Sequence, residues 1–261
     1  MSSPLTDIYA LAIIRKGTTK DSECMKHLPF AATFFTLIGA FALNPSGASA
    51  KGTRCSPNPT PEALISSWAA KTVAHMKGRT NVRVLMNQTK QDIRVPIHGE
   101  DVDLTALPLK KKDIETAEKL ASRLNKIISI DLVAESSAEK ADLFVTAVCE
   151  PEHKSDYGIV TSDKSGKKLI MLINTCSDVY RNYKGSFGPI FLHELGHVLG
   201  LEHPFDDSDG DCMISTERFS AKSAHMGQTL MAYREDPNDG PLDFYTATDI
   251  QALLKIWGPN R

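Results

Sequence analysis

Phe191 to Pro204 reads FLHELGHVLGLEHP, and this stretch decides how the rest of the chain is understood. On a helix, residues four apart share a face. His193 and His197 can therefore turn their imidazoles toward one ion. Glu194 sits one residue on, beside that ion and slightly rotated from it. There it can take a proton from a metal-activated water without occupying the metal. A catalytic zinc takes three protein ligands and keeps one position open. Continuing the helix to His203 would carry the third imidazole past the ion, so the chain must break first. Gly200 is the place for that break, because glycine reaches positive φ at little cost. His203 then doubles back to complete the triad, and Pro204 prevents helix from resuming. Three histidines with an adjacent glutamate leave an open position, whereas structural zinc sites are usually closed with cysteine.

Working outward, Pro189 to Leu199 is the helix that carries this motif. Lys168 to Asn174 (KLIMLIN) is an apolar strand before it, and Tyr157 to Thr161 is a short strand at a sheet edge. Asn81 to Met86 alternates as a strand, with further strands at Gln91–His98, Ile127–Val133 and Ala141–Val148. Pro61 to Lys77 and Asp113 to Lys126 have helical spacing. A final helix spans Ala247 to Trp257, with Thr246 and Asp249 at capping-box spacing and Gly258-Pro259 ending it. Residues 204–228 read as irregular. There is no internal repeat. The pattern is α/β (α+β): mixed strands and helices, then a loop-rich C-terminal part.

At this point the HExxHxxGxxH spacing resembles the metzincin zinc peptidases, closest to their serralysin- and matrixin-like branch. Thr229-Leu230-Met231-Ala232-Tyr233 resembles the Met-turn that these enzymes place beneath the metal, and Tyr245 to Gly258 resembles the serralysin C-terminal helix. The resemblance covers residues 81–261. It implies a zincin fold with a twisted, mostly parallel sheet and an irregular C-terminal subdomain ending in a helix. It also implies one catalytic Zn2+ on His193, His197 and His203, and Met231 as the floor beneath it. Glu194 would be the general base, and Tyr233 a catalytic tyrosine able to swing toward the metal. The activity implied is endopeptidase hydrolysis by a zinc-activated water. A non-catalytic, zinc-stabilised module that binds a protein, or a processing peptidase of narrow specificity, is the alternative. The departures are the absence of calcium-binding nonapeptide repeats before Arg261 and the presence of a leader. Arg54-Cys55-Ser56-Pro57 is only faintly similar to the matrixin cysteine switch.

The N-terminus suggests export. Met25, Lys26 and His27 precede an apolar run from Leu28 to Leu43, and Ala48-Ser49-Ala50 offers a small-residue cleavage site. That is the layout of a secretory signal over residues 25–50, with 1–24 an upstream extension and 51–80 a lead-in and helix. The rival reading is an uncleaved anchor, but the run is short for the roughly 20 residues of a spanning helix. Cleavage near Ala50 removes Cys24 and leaves Cys55, Cys149, Cys176 and Cys212, an even set suited to disulfides outside the cytosol. Three pairings are open. Cys149 and Cys176 each end a strand-like run and are the favoured pair, leaving Cys55 with Cys212.

The 261 residues carry a formal net charge of -2, with basic residues dispersed. Nothing in that balance suggests a nucleic-acid groove or a polybasic membrane surface. The expected partner is a protein or peptide substrate, met by a monomer with no stable membrane association after signal cleavage. Asp206, Asp207, Asp209 and Asp211 crowd one loop with Gly210 and could hold Ca2+. Their spacing does not fit a twelve-residue calcium loop, and an acidic solvated loop is the preferred reading. His75, His98, His153 and His225 have no partner spacing.

Overall fold

The computed structural model describes residues 60–65, 80–97, 99–151, 157–182, 187–204, 229–232 and 242–260. The leader, Cys55, Cys212, the acidic loop from Asp206 to Asp211, Tyr233 and His75, His98, His153 and His225 lie outside these residues. Among the described residues no helix is long and apolar enough to cross a membrane.

Among the described residues, seven strands run in chain order: β1 (Asn81–Met86), β2 (Gln91–Ile97), β3 (Glu100–Ala106), β4 (Asp131–Ala134), β5 (Leu143–Val148), β6 (Gly158–Ser162) and β7 (Leu169–Asn174). The helices are α1 (Lys111–Leu124), α2 (Asp178–Asn182), α3 (Phe187–Val198) and α4 (Ala247–Trp257), with a 3-10 turn at Glu62–Leu64. Five strands form one sheet in the order β4-β1-β5-β7-β6. All of its pairings are parallel except β6 with β7, which is antiparallel. The fold is therefore mixed α/β with a mostly parallel sheet, as the sequence predicts.

The two faces of the sheet are buried by different means. Leu143, Val145, Leu169, Met171 and Ile173 share a core with Phe191, Leu192 and Leu195 of α3. Ile170 and Leu172, the alternate residues of β7, pack with Val95 and Leu104 of a β2–β3 hairpin. Covering both faces explains why β7 is buried along its whole length and reads as an unbroken apolar run. At the other end of the sheet, Asp142 is clamped by Arg83, whose Nε and Nη2 donate to its two oxygens at 2.9 Å each.

Some expectations shift. The helix read over Pro61–Lys77 is, among the described residues, the short turn Glu62–Leu64 followed by a single bridge from Ile65 to Leu201. The strand read over Ile127–Val133 begins only at Asp131. Before it, Ile127 N–H turns back to Leu124 O, and Ile128 bridges to Pro259. Ile128 and Ile130 are buried, so they satisfy an apolar pattern without being strand. α1 starts at Lys111 rather than Asp113, and α3 at Phe187 rather than Pro189. Two elements escape the sequence reading. β3 (EDVDLTA) looks like a charged loop until its inward Leu104 and Ala106 are noticed; Gly99, at φ 82, turns the hairpin that returns it against β2. α2 is a short helix on which a periodicity argument has little purchase.

Candidate metal centre

α3 is apolar on nearly every side and lies buried against β6 and β7 on one side and α1 on another. Its end is a glycine-terminated Schellman arrangement. Gly200 takes φ 96, Leu201 N–H donates to Gly196 O at 2.8 Å, and Gly200 N–H donates to His197 O at 3.1 Å. Glu202 N–H then joins Leu64 O at 2.9 Å, which sends the chain back alongside the 3-10 turn. The reversal predicted at Gly200 is thus made by backbone hydrogen bonds on both sides of the glycine.

That reversal brings His203 to the two histidines of α3. His193, His197 and His203 are all buried, and each offers a ring nitrogen such that all three lie within 4.8 Å of one another. Nε2 of His193 and Nε2 of His203 are 3.2 Å apart. A tetrahedral ion with nitrogens at roughly 2.0–2.1 Å requires nitrogen separations of about 3.3 Å, so this pair has the right spacing for zinc. The second layer is also in place. His193 Nδ1 lies 2.9 Å from Leu230 O, and His197 Nδ1 lies 2.9 Å from Leu201 O. A carbonyl oxygen only accepts, so each Nδ1 must carry the proton, and Nε2 is then the unprotonated nitrogen of each ring, the one able to ligate a metal. Burial works in the same direction. It pushes His193 down to about 3 and His197 to about 4, and holds His203 well below its ordinary value. Neutral imidazoles are the form that ligates.

Glu194, next to His193 on α3, is 3% exposed, and burial alone pushes its carboxyl up to about 8. A cation at the imidazoles would oppose that shift, because an opposite charge favours the ionised form. Its carboxylate lies against Gly158 at the start of β6. Tyr157, just before, meets the His193 ring edge-on with centroids 5.5 Å apart.

Met231 is fully buried under α3. A Cβ on Gly196 would come within 2.5 Å of the Met231 sulfur, so the missing side chain at Gly196 is what admits the methionine against α3. The turn holding Met231 is tied to α4. Asp249 accepts from Thr229 Oγ1, and from Leu230 N–H at 2.9 Å. The same carboxylate accepts from Thr246 N–H at 2.8 Å, completing the capping box foreseen at the start of α4. Sequence reading had given Asp249 only this capping role. Two further tethers were not foreseen: Tyr245 Oη donates to Leu192 O at 2.7 Å, and Trp257 Nε1 donates to Leu199 O at 2.9 Å. Both end on carbonyls of the histidine segment, a link no spacing rule could have revealed.

Cys149 and Cys176 form a disulfide with Cα atoms 4.9 Å apart, joining the ends of β5 and β7. The proposed partners Cys55 and Cys212 lie outside the described residues, as does Tyr233.

No family model matches the chain. A stretch of 78 residues is 38% identical to serralysin B of Dickeya chrysanthemi, and one of 79 residues is 35% identical to serralysin of Photorhabdus luminescens. Each match takes in 27% of this chain and 16% of the relative, so the chain spans only a small part of the length of these curated relatives. The serralysin likeness over this stretch and the buried histidine cluster support a metzincin-like family at most.

Proposed function

We propose that the chain is an exported zinc endopeptidase in which His193, His197 and His203 hold the metal and Glu194 is the general base. The observation that carries this reading is the convergence of three buried imidazoles, two of them with Nδ1 held by a carbonyl, with the buried Glu194 next to the first of them on α3. The donor set fits zinc: three nitrogens, no cysteine, and one ligand short of the tetrahedral four.

Zinc, when bound, would supply Lewis acidity toward the attacking water and the scissile carbonyl. The protein supplies the rest. Glu194 accepts the proton of the attacking water and delivers it to the leaving amine. Carbonyls of Leu230 and Leu201 keep two imidazoles oriented while charge develops. Met231 and the apolar body of α3 exclude water from beneath the site. Tyr233 is proposed as an additional donor toward the transition-state oxygen.

A substrate strand is proposed to add to β6, the end strand of the sheet. Asn174 N–H donates to Tyr157 O, which makes 157 and 174 a hydrogen-bonded pair. The antiparallel ladder alternates, so at the next pair the N–H and C=O of Gly158 turn toward the outer side of the strand. Backbone pairing there would hold an extended peptide in front of Glu194 irrespective of its sequence. Export through a leader ending near Ala50, with the Cys149–Cys176 bridge suited to an oxidising compartment, completes the proposal.

The test is cleavage of fluorogenic peptides by the zinc-loaded protein, with and without chelator, beside Glu194→Gln. Expected are chelator-sensitive turnover and a variant that keeps zinc but is inert. Near-normal cleavage by Glu194→Gln would sink the mechanism. Zinc binding with no cleavage of any peptide would favour the non-catalytic binding alternative.

A further inference from the structure

Gly158 lies at the start of β6 opposite Ile173, whose side chain belongs to the core beneath α3. Two residues on, Val160 enters that same core. By strand alternation a side chain at 158 would point the same way, at the histidine helix. There is no space for one. A Cβ built on Gly158 falls 2.4 Å from Glu194 Oε1 and 2.6 Å from both its Cδ and its Cγ. Ordinary carbon contacts begin at about 3.5 Å, so the whole end of the glutamate would have to move, not one oxygen alone.

The glycine is not there for a turn. The described glycines with positive φ are Gly99, Gly166, Gly200 and Gly258, and Gly158 is not among them. Nor does Glu194 have open space to enter, being 3% exposed on a helix buried on nearly every side. What Gly158 provides is close approach of a strand backbone to a carboxylate, one of the uses of glycine within a strand.

We infer that Gly158 is a positioning residue: the absence of a side chain at this point in β6 fixes where the Glu194 carboxylate rests. The catalytic consequence rests on the peptidase reading above; the contact itself does not. In a peptidase, a methyl group at 158 would displace the base from the attacking water while leaving the three imidazoles and the outward backbone groups of β6 in place. The loss should therefore fall on kcat and not on metal binding or KM.

The experiment uses the full chain, with Gly158→Ala, Glu194→Ala and the double variant. Thermal unfolding of the metal-free proteins reads the contact without any assay of activity. Gly158→Ala should lower Tm when Glu194 is present and have little effect once Glu194→Ala has emptied the space. Equal losses in both backgrounds would overturn the inference. Should Gly158→Ala fail to fold alone, folding of the double variant supports the contact and failure of both overturns it. Kinetics of the zinc-loaded protein then read the role. Gly158→Ala should lower kcat by about 10-fold to 100-fold, the scale of a misplaced catalytic group, with zinc content unchanged and KM nearly so. An unchanged kcat, or a loss confined to KM, would overturn the positioning role. If the wild-type chain cleaves nothing, the peptidase reading fails, and the Tm comparison alone decides whether Gly158 sets the place of Glu194.

Discussion

Asp249 holds the backbone of Leu230: its Oδ2 accepts the Leu230 N–H at 2.9 Å, while the Leu230 carbonyl faces Nδ1 of His193 at the same distance. The backbone of this one residue therefore joins α4 to a metal-ligand candidate. Asp249→Ala would leave Leu230 N–H and Thr246 N–H without their acceptor. A buried orphan costs about 1–3 kcal/mol, so a fall in Tm is expected by thermal unfolding. Zinc affinity, measured by competition with a chromophoric chelator, should weaken by about 10-fold to 100-fold, as for other supports of a ligating histidine. Unchanged zinc affinity would show that the Leu230 carbonyl keeps its place without the aspartate.

The same residue gives a pH dependence. Burial raises the Asp249 carboxyl above its ordinary value despite the hydrogen bonds that oppose the shift. The folded state then binds this proton more tightly than the unfolded state does. Its contribution to stability is fully present below the unfolded value near 3.8 and is lost as pH rises through the raised folded value. Asp249→Asn does not titrate, so the difference in unfolding free energy between wild type and variant should change with pH in that window and be flat above it. Denaturant titrations of the metal-free proteins from pH 3 upward measure this. A difference independent of pH would remove Asp249 as its source.

His203→Ala removes the one imidazole that lies outside α3. The remaining pair can still be bridged by an ion but cannot enclose it. Loss of a supporting residue already costs up to about 100-fold in affinity, so loss of a ligand should cost more. Metal analysis after dialysis against a weak chelator should find zinc in the wild type and little in the variant. Retention of one zinc per chain would exclude His203 from the ligand set.

The bridge between Cys149 and Cys176 closes a loop with a sequence separation of 27. Chain-entropy arguments put its contribution at about 3–4 kcal/mol. Replacing both cysteines with serine should lower stability by that order in denaturant titration and leave zinc binding intact, because neither residue belongs to the histidine cluster. A double variant as stable as wild type would mean the bridge adds nothing to the folded state.

The histidine cluster was legible in the sequence because its geometry is local. A helix puts His193 and His197 on one face, and a single glycine returns His203. Strands β1 and β7 were legible for a similar reason, since alternation or unbroken apolarity repeats along them. Local patterns gave no warning at Ile128 and Ile130, which bury side chains on a backbone that is not strand. They also missed β3, whose acidic outer residues mask the inward Leu104 and Ala106. The contacts that hold the centre in place were harder still. Tyr245 to Leu192, Trp257 to Leu199 and Gly158 to Glu194 join residues far apart in the chain. Nothing in the spacing of either partner announces the other.

The dependence of the histidine segment on α4 has a consequence for how the protein is made. The helix bearing His193 leaves the ribosome well before Asp249, Tyr245 and Trp257, the residues that tie it down. Until they follow, the turn that carries the Leu230 carbonyl lacks its tie to Asp249, and Nδ1 of His193 lacks a fixed acceptor. A nascent chain would therefore carry its ligands without a finished trap for metal, and any hydrolytic power would be withheld from the cell during synthesis by the order in which the parts emerge.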